Sequence, residues 1–167
     1  MSTEQIHIAW HGPVRISSPH EAEESEGLKH RGVYQIYGGN PTYGGSSLLY
    51  IGLAVDQPIG KRIKQEWYWG DNRDSGNIEV YTGPLIGDKM PTREAWRTQV
   101  AQVERLLIYA HRPPYNSRME LGELEPELQQ VHVLNWGQHR DLMPEVSGLR
   151  WTSHHDGLSD DPFHCGD

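Results

Sequence analysis

The sequence has little of what would tie a small chain together covalently or anchor it in lipid. It holds one cysteine in 167 residues, Cys165. That excludes an internal disulfide framework and any cysteine-rich zinc site, and it suits a reducing compartment. Apolar residues make up only 35% and mean hydropathy is -0.72, so a modest core under a large polar surface is expected. No apolar run approaches the ~20 residues needed to span a bilayer, so no membrane partner is expected. The opening MSTEQIHIAWHG has no basic patch followed by an apolar stretch, and a soluble cytoplasmic protein is the default expectation. Also missing are a glycine-rich phosphate loop with a Lys-Ser/Thr pair, HExxH and GxSxG, which removes the commonest hydrolase signatures.

What is plentiful is glycine (18), proline (11) and acid. The net charge of -8 argues against a protein that coats nucleic acid non-specifically. Its distribution is uneven. Between Lys29 and Glu120, twelve basic residues face nine acidic ones, +3, while the flanks carry -11. The acid gathers at Glu21–Glu26, at Glu123–Glu127 and at Asp156–Asp161. Those runs are either solvated surface and frayed ends or a flank that competes with a polyanion for the basic centre.

Hydrophobic spacing gives a coarse architecture. Ile6, Ile8 and Trp10 alternate as a short strand, followed by an acidic loop or short helix over Ser17–Glu26. Gly32–Tyr37 and Leu48–Ile51 read as two strands joined by GGNPTYGGS, a nine-residue turn-forming loop whose tip is a candidate functional element. From Pro58 to about Tyr68 a helix is predicted, with Ile59, Ile63 and Trp67 on its buried face. Asn77–Thr82 reads as a third strand. Thr92 is the expected N-cap of a helix over about 93–111, with Trp96, Val100, Val103 and Leu107 as core stripe. Val131–Asn135 is a late strand, Leu142–Trp151 reads as loop, and the last ~15 residues read as a loose polar tail.

Within this layout Gly32-Val33-Tyr34 and Tyr50-Ile51-Gly52 face each other from neighbouring strands. Arg62 follows on a helix, Glu104 on a later helix, and Asn116 twelve residues on, past Pro113-Pro114. These residues resemble, in kind and order, the signature of the GIY-YIG nuclease superfamily, with Val33 in place of the middle isoleucine. The resemblance covers about residues 31–120. It implies an α/β (α+β) fold: a small central three-stranded antiparallel sheet flanked by helices over 32–120, with an N-terminal extension over 1–31 and a C-terminal one over 121–167. It also implies a metal-dependent endonuclease acting on nucleic acid, DNA being favoured, and leaving a 5′-phosphate and a 3′-hydroxyl. Tyr34, Tyr50, Arg62, Glu104 and Asn116 are then the expected catalytic set.

The residue types suit that chemistry. Glu104 is a hard oxygen ligand for Mg²⁺ or Mn²⁺. Arg62 can grip phosphate oxygens in pairs and never deprotonates. The resemblance gives the first tyrosine the water-activating role, although a phenol of pKa ~10 is a poor base at pH 7 without a nearby cation. Asn116 is better suited to fixing backbone than to touching substrate.

The sequence also departs from the family. Many members carry His or Tyr one turn after the arginine, where this chain has Glu66, and many have Lys three residues after the second tyrosine, where it has Leu53. An acid at Glu66 either ties Arg62 into an ion pair or acts as a base itself. A weakened GIY-YIG-fold module that binds nucleic acid or protein is therefore the alternative. His111, two turns beyond Glu104, is a candidate accessory group, with helix capping as its competing role. Lys61, Lys64 and Tyr68, with Trp69 beside it, are candidate nucleic-acid contacts. His154, His155, His164 and Cys165 match no structural zinc spacing. A duplex cutter with one site per chain needs a homodimer or two successive nicks.

Overall fold

A computed structural model describes residues 3–67, 78–116 and 123–151. The strands are β1 (Glu4–Ile16), β2 (Gly32–Asn40), β3 (Gly44–Ala54), β4 (Ile78–Gly83), β5 (Leu85–Ile86), β6 (Val131–Gly137) and β7 (Glu145–Ser147). The helices are α1 (Pro19–Glu24), α2 (Ile59–Gln65) and α3 (Arg93–His111).

The small three-stranded sheet expected from the sequence is not what forms. The strands make one seven-stranded mixed sheet in the order β3-β2-β4-β1-β6-β7, with β5 beside β1. The long strand β1 is the reason. Its first half pairs in parallel with β6 and antiparallel with β5. Its second half, from His11, pairs antiparallel with β4, and the register shifts between His11 and Val14. At that bulge Gly12 takes φ +152°, and a Cβ there would lie 2.8 Å from the Tyr81 ring. Glycine is what lets the strand change partners at this point. The sequence signal at Ile6, Ile8 and Trp10 marked only the half of β1 that alternates cleanly. Beyond Trp10 the alternation continues through Val14 and Ile16, but Gly12-Pro13 interrupts the pattern in the sequence.

Both faces of β2 are covered, so Gly32–Gly38 is buried throughout. Val33 and Tyr37 pack in the cluster beneath α3, with Ile8, Trp10, Val100, Val103, Leu107 and Val133. Tyr34 and Ile36 pack in a second cluster with Ala22 and Leu28 and with Ile59 and Ile63 of α2. The helix α3 forms where it was expected, with the Thr92 side chain accepting from Ala95 N–H and Arg112 closing the helix in the left-handed region.

The expected nine-residue hairpin loop is also corrected. Pairing continues to Asn40↔Gly44, so the turn is only Pro41–Tyr43, where Asn40 Oδ1 accepts from the backbone N–H of Thr42 and Tyr43. Glycine-rich sequence was read as loop, but here two register shifts absorb it within the ladder. Among the described residues no helix is long and apolar enough to cross a membrane.

Candidate active site

The β2–β3 hairpin sets the two signature tyrosines side by side. Tyr34 pairs with Gly52 and Ile36 with Tyr50, which brings both rings to the face covered by α2. The ring centroids are 6.1 Å apart and tilted by 41°. Gly52 is the reason they fit. A Cβ there would lie 2.5 Å from the Tyr50 ring and 2.6 Å from the Tyr34 hydroxyl.

The next helix, α2, supplies Arg62, and Glu66 caps its C-terminal end. One turn apart, they form an ion pair with Arg62 Nη2 2.5 Å from Glu66 Oε1. The other carboxylate oxygen, Oε2, accepts from the Tyr50 hydroxyl at 3.3 Å. The ion pair open to an acid at this position is thus formed, with the second carboxylate oxygen turned to Tyr50.

Glu104 comes from α3 and joins the same electrostatic neighbourhood. Burial pushes its carboxyl up to about 7, against the pull of Arg62 and with the push of Glu66. It makes no hydrogen bond and no ion pair among the described residues. Burial also raises the Tyr34 phenol well above its ordinary range. Tyr50, Glu66 and Glu104 add to that rise, and Arg62 opposes it. Four distant parts of the sequence therefore act on one another here. The Tyr34 hydroxyl is fully buried and has no hydrogen-bond partner.

Asn116 follows α3 in a 3-10 turn and holds strand β3 by its backbone. Its Oδ1 accepts from Ile51 N–H at 2.9 Å and its Nδ2 donates to Ile51 C=O at 2.8 Å. Ile51 lies in the edge strand, so the amide substitutes for a missing neighbour between Tyr50 and Gly52.

The other candidates are placed differently. His111 has both ring nitrogens engaged: Nδ1 with Leu107 C=O at 2.9 Å, and Nε2 accepting from Met143 N–H at 2.8 Å. It stands about 10 Å along the helix axis from Glu104 and ties α3 to the chain after β6. Burial lowers its pKa. Lys64 pairs with Glu23 of α1, and Lys61 is exposed. Tyr68 and Trp69, and the terminal histidines with Cys165, lie outside the described residues. The acidic flanks do reach the basic centre. Glu23 takes Lys64, while Glu125 and Glu127 take Arg105.

Sequence reasoning missed a polar cluster on the other face. Gln35 is buried and accepts from the Tyr37 hydroxyl at 2.8 Å, and Arg140 stacks 4.4 Å over the Tyr37 ring. It fastens the segment after β6 to the hairpin, and nothing local in the sequence signals it.

Among the described residues, no group of three or more His, Cys, Asp or Glu side chains is placed to hold a metal ion. A site here would rest on the single carboxylate of Glu104, with water completing the shell. That carboxylate is a fitting donor, because it is a hard oxygen ligand with no protein partner of its own. No family model matches the chain, and no curated protein or solved structure matches it either.

Proposed function

We propose that the chain is a divalent-metal-dependent endonuclease that hydrolyses phosphodiester bonds in nucleic acid, with DNA the favoured substrate. The observation that supports this reading is the clustering of Tyr34, Tyr50, Arg62 and Glu66 on one face of the sheet, with the Glu104 carboxyl within their electrostatic reach and without a hydrogen bond or ion pair among the described residues. A site that hydrolyses a phosphodiester needs a fixed cation for the ester oxygens, a group that orients water, and a place for a Lewis acid. Arg62 offers two parallel N–H donors to the non-bridging oxygens. Tyr50 presents a hydroxyl already polarised by a carboxylate. Mg²⁺ or Mn²⁺ held by Glu104 would supply charge at the scissile phosphate and the leaving 3′-oxygen. Asn116 keeps the strand that carries Tyr50 in register.

The Arg62–Glu66 ion pair favours a second reading, in which the arginine stays occupied and the chain binds nucleic acid or protein without cutting. Nicking of supercoiled plasmid in Mg²⁺ or Mn²⁺ separates the two. Cleavage to 5′-phosphate and 3′-hydroxyl ends that Glu104→Ala abolishes is the expected result. Duplex binding without cleavage by the unaltered chain would establish the second reading instead.

A further inference from the structure

Resting on the nuclease reading, we infer that the substrate phosphate draws Arg62 away from Glu66, and that the released Glu66 accepts the proton of the attacking water through Tyr50. The two oxygens of Glu66 are divided between the partners this exchange requires: Oε1 on Arg62 and Oε2 on the Tyr50 hydroxyl. The pair is within reach of a ligand, since the side chains of Arg62 and Glu66 are 40% and 25% exposed. Tyr34 is placed otherwise. Its hydroxyl lies over Gly52, fully buried and without a partner, out of reach of bulk water.

An i,i+4 carboxylate in partly wet surroundings is a weak hold on a guanidinium. A phosphodiester offers two oxygens in the fork geometry that arginine matches. Once Arg62 turns to it, Oε1 loses its counter-charge and the carboxylate becomes the stronger base. In the reacting step, a water proton passes to Tyr50 Oη as the phenolic proton passes to Glu66. The water oxygen forms a bond to phosphorus, and the bond from phosphorus to the 3′-oxygen breaks with its electron pair on that oxygen. The 3′-oxygen takes a proton from solvent, and Glu66 returns its own to solvent. One water is consumed, and no oxidant or reductant is involved. Glu66 thus replaces the buried first tyrosine as the acceptor, and the enzyme holds its base neutralised until a phosphate arrives.

The test uses the full chain, a labelled duplex oligonucleotide cleaved in Mg²⁺, and anisotropy of the same duplex in EDTA. Glu66→Gln is expected to lower kcat by about a hundredfold or more. In EDTA the same variant binds duplex about threefold tighter, because it frees Arg62. Formate added to Glu66→Ala restores part of kcat. Tyr50→Phe falls as far as Glu66→Gln, and the double variant falls no further, as for groups acting in one relay. Tyr34→Phe falls less than about tenfold. The inference is overturned if Glu104→Ala abolishes cleavage while Glu66→Gln cuts at near the rate of the unaltered chain. A Glu66→Gln variant that binds duplex more weakly overturns it as well. An unaltered chain that does not cut, or a Glu104→Ala variant that does, removes the nuclease reading and the inference with it.

Discussion

Replacing Glu104 by glutamine should make the metal-free protein more stable, and only where the carboxyl would otherwise ionise. The carboxyl, ordinarily near 4.5, is lifted to about 7 chiefly by burial. The unfolded chain therefore ionises first as pH rises. The stability that belongs to the neutral acid is fully present below pH ~4.5 and is lost as pH climbs through about 7. At 1.36 kcal/mol per pH unit the ceiling on that loss is about 3 kcal/mol, and partial access of water brings it to about 1–2 kcal/mol. Glutamine keeps the shape and removes the charge. Glu104→Gln should thus unfold about 1–2 kcal/mol later than the unaltered chain at pH 8, some 3–6 °C in Tm, with the gap closing at pH 4. Urea and thermal melts of both proteins in EDTA at the two pH values measure this. Adding Mg²⁺ at pH 8 should then raise the Tm of the unaltered chain and leave the variant where it was. Equal stabilities at pH 8, or a gap of the same size at pH 4, would show that ionising Glu104 costs the fold nothing, and that its carboxylate is not held in a desolvated place.

Three other substitutions probe the supports of the site. Asn116→Ala strands Ile51 N–H and C=O at the sheet edge and should cost about 1–3 kcal/mol in urea melts; no change would mean water replaces the amide freely. Gly52→Ala drives a methyl into the Tyr50 ring and the Tyr34 hydroxyl. It should destabilise by about 1–3 kcal/mol and lower cleavage more than duplex binding; a variant as stable as its parent would refute the close packing. Glu23→Gln releases Lys64 and should tighten duplex binding by less than about fivefold at low salt, an effect that disappears at high salt; unchanged affinity at low salt would remove Lys64 from the binding surface.

Local signals were legible where one element decides its own structure. Thr92 and the spacing of Val100, Val103 and Leu107 set α3 residue for residue. The tyrosine hairpin was readable from its β-branched and aromatic residues. Long-range pairing was not. Whether a strand lies alone or in the middle of a sheet depends on partners more than a hundred residues away, as with β1 against β6. The two-residue β5 and the three-residue β7 are too short to show a period. At the candidate site, the residue types and their order were visible, and so was the choice open to Glu66. That Glu66 holds both Arg62 and Tyr50 depends on side-chain geometry that no spacing rule contains.

Whether Glu104 holds a catalytic metal is decided by initial cleavage rates on an end-labelled duplex for the unaltered chain and Glu104→Ala, at equal protein, in Mg²⁺ and then in EDTA. Cleavage by the unaltered chain in Mg²⁺ alone, and none by the variant in either condition, is the expected result. Cleavage that survives loss of the Glu104 carboxylate, or that proceeds undiminished in EDTA, would contradict it.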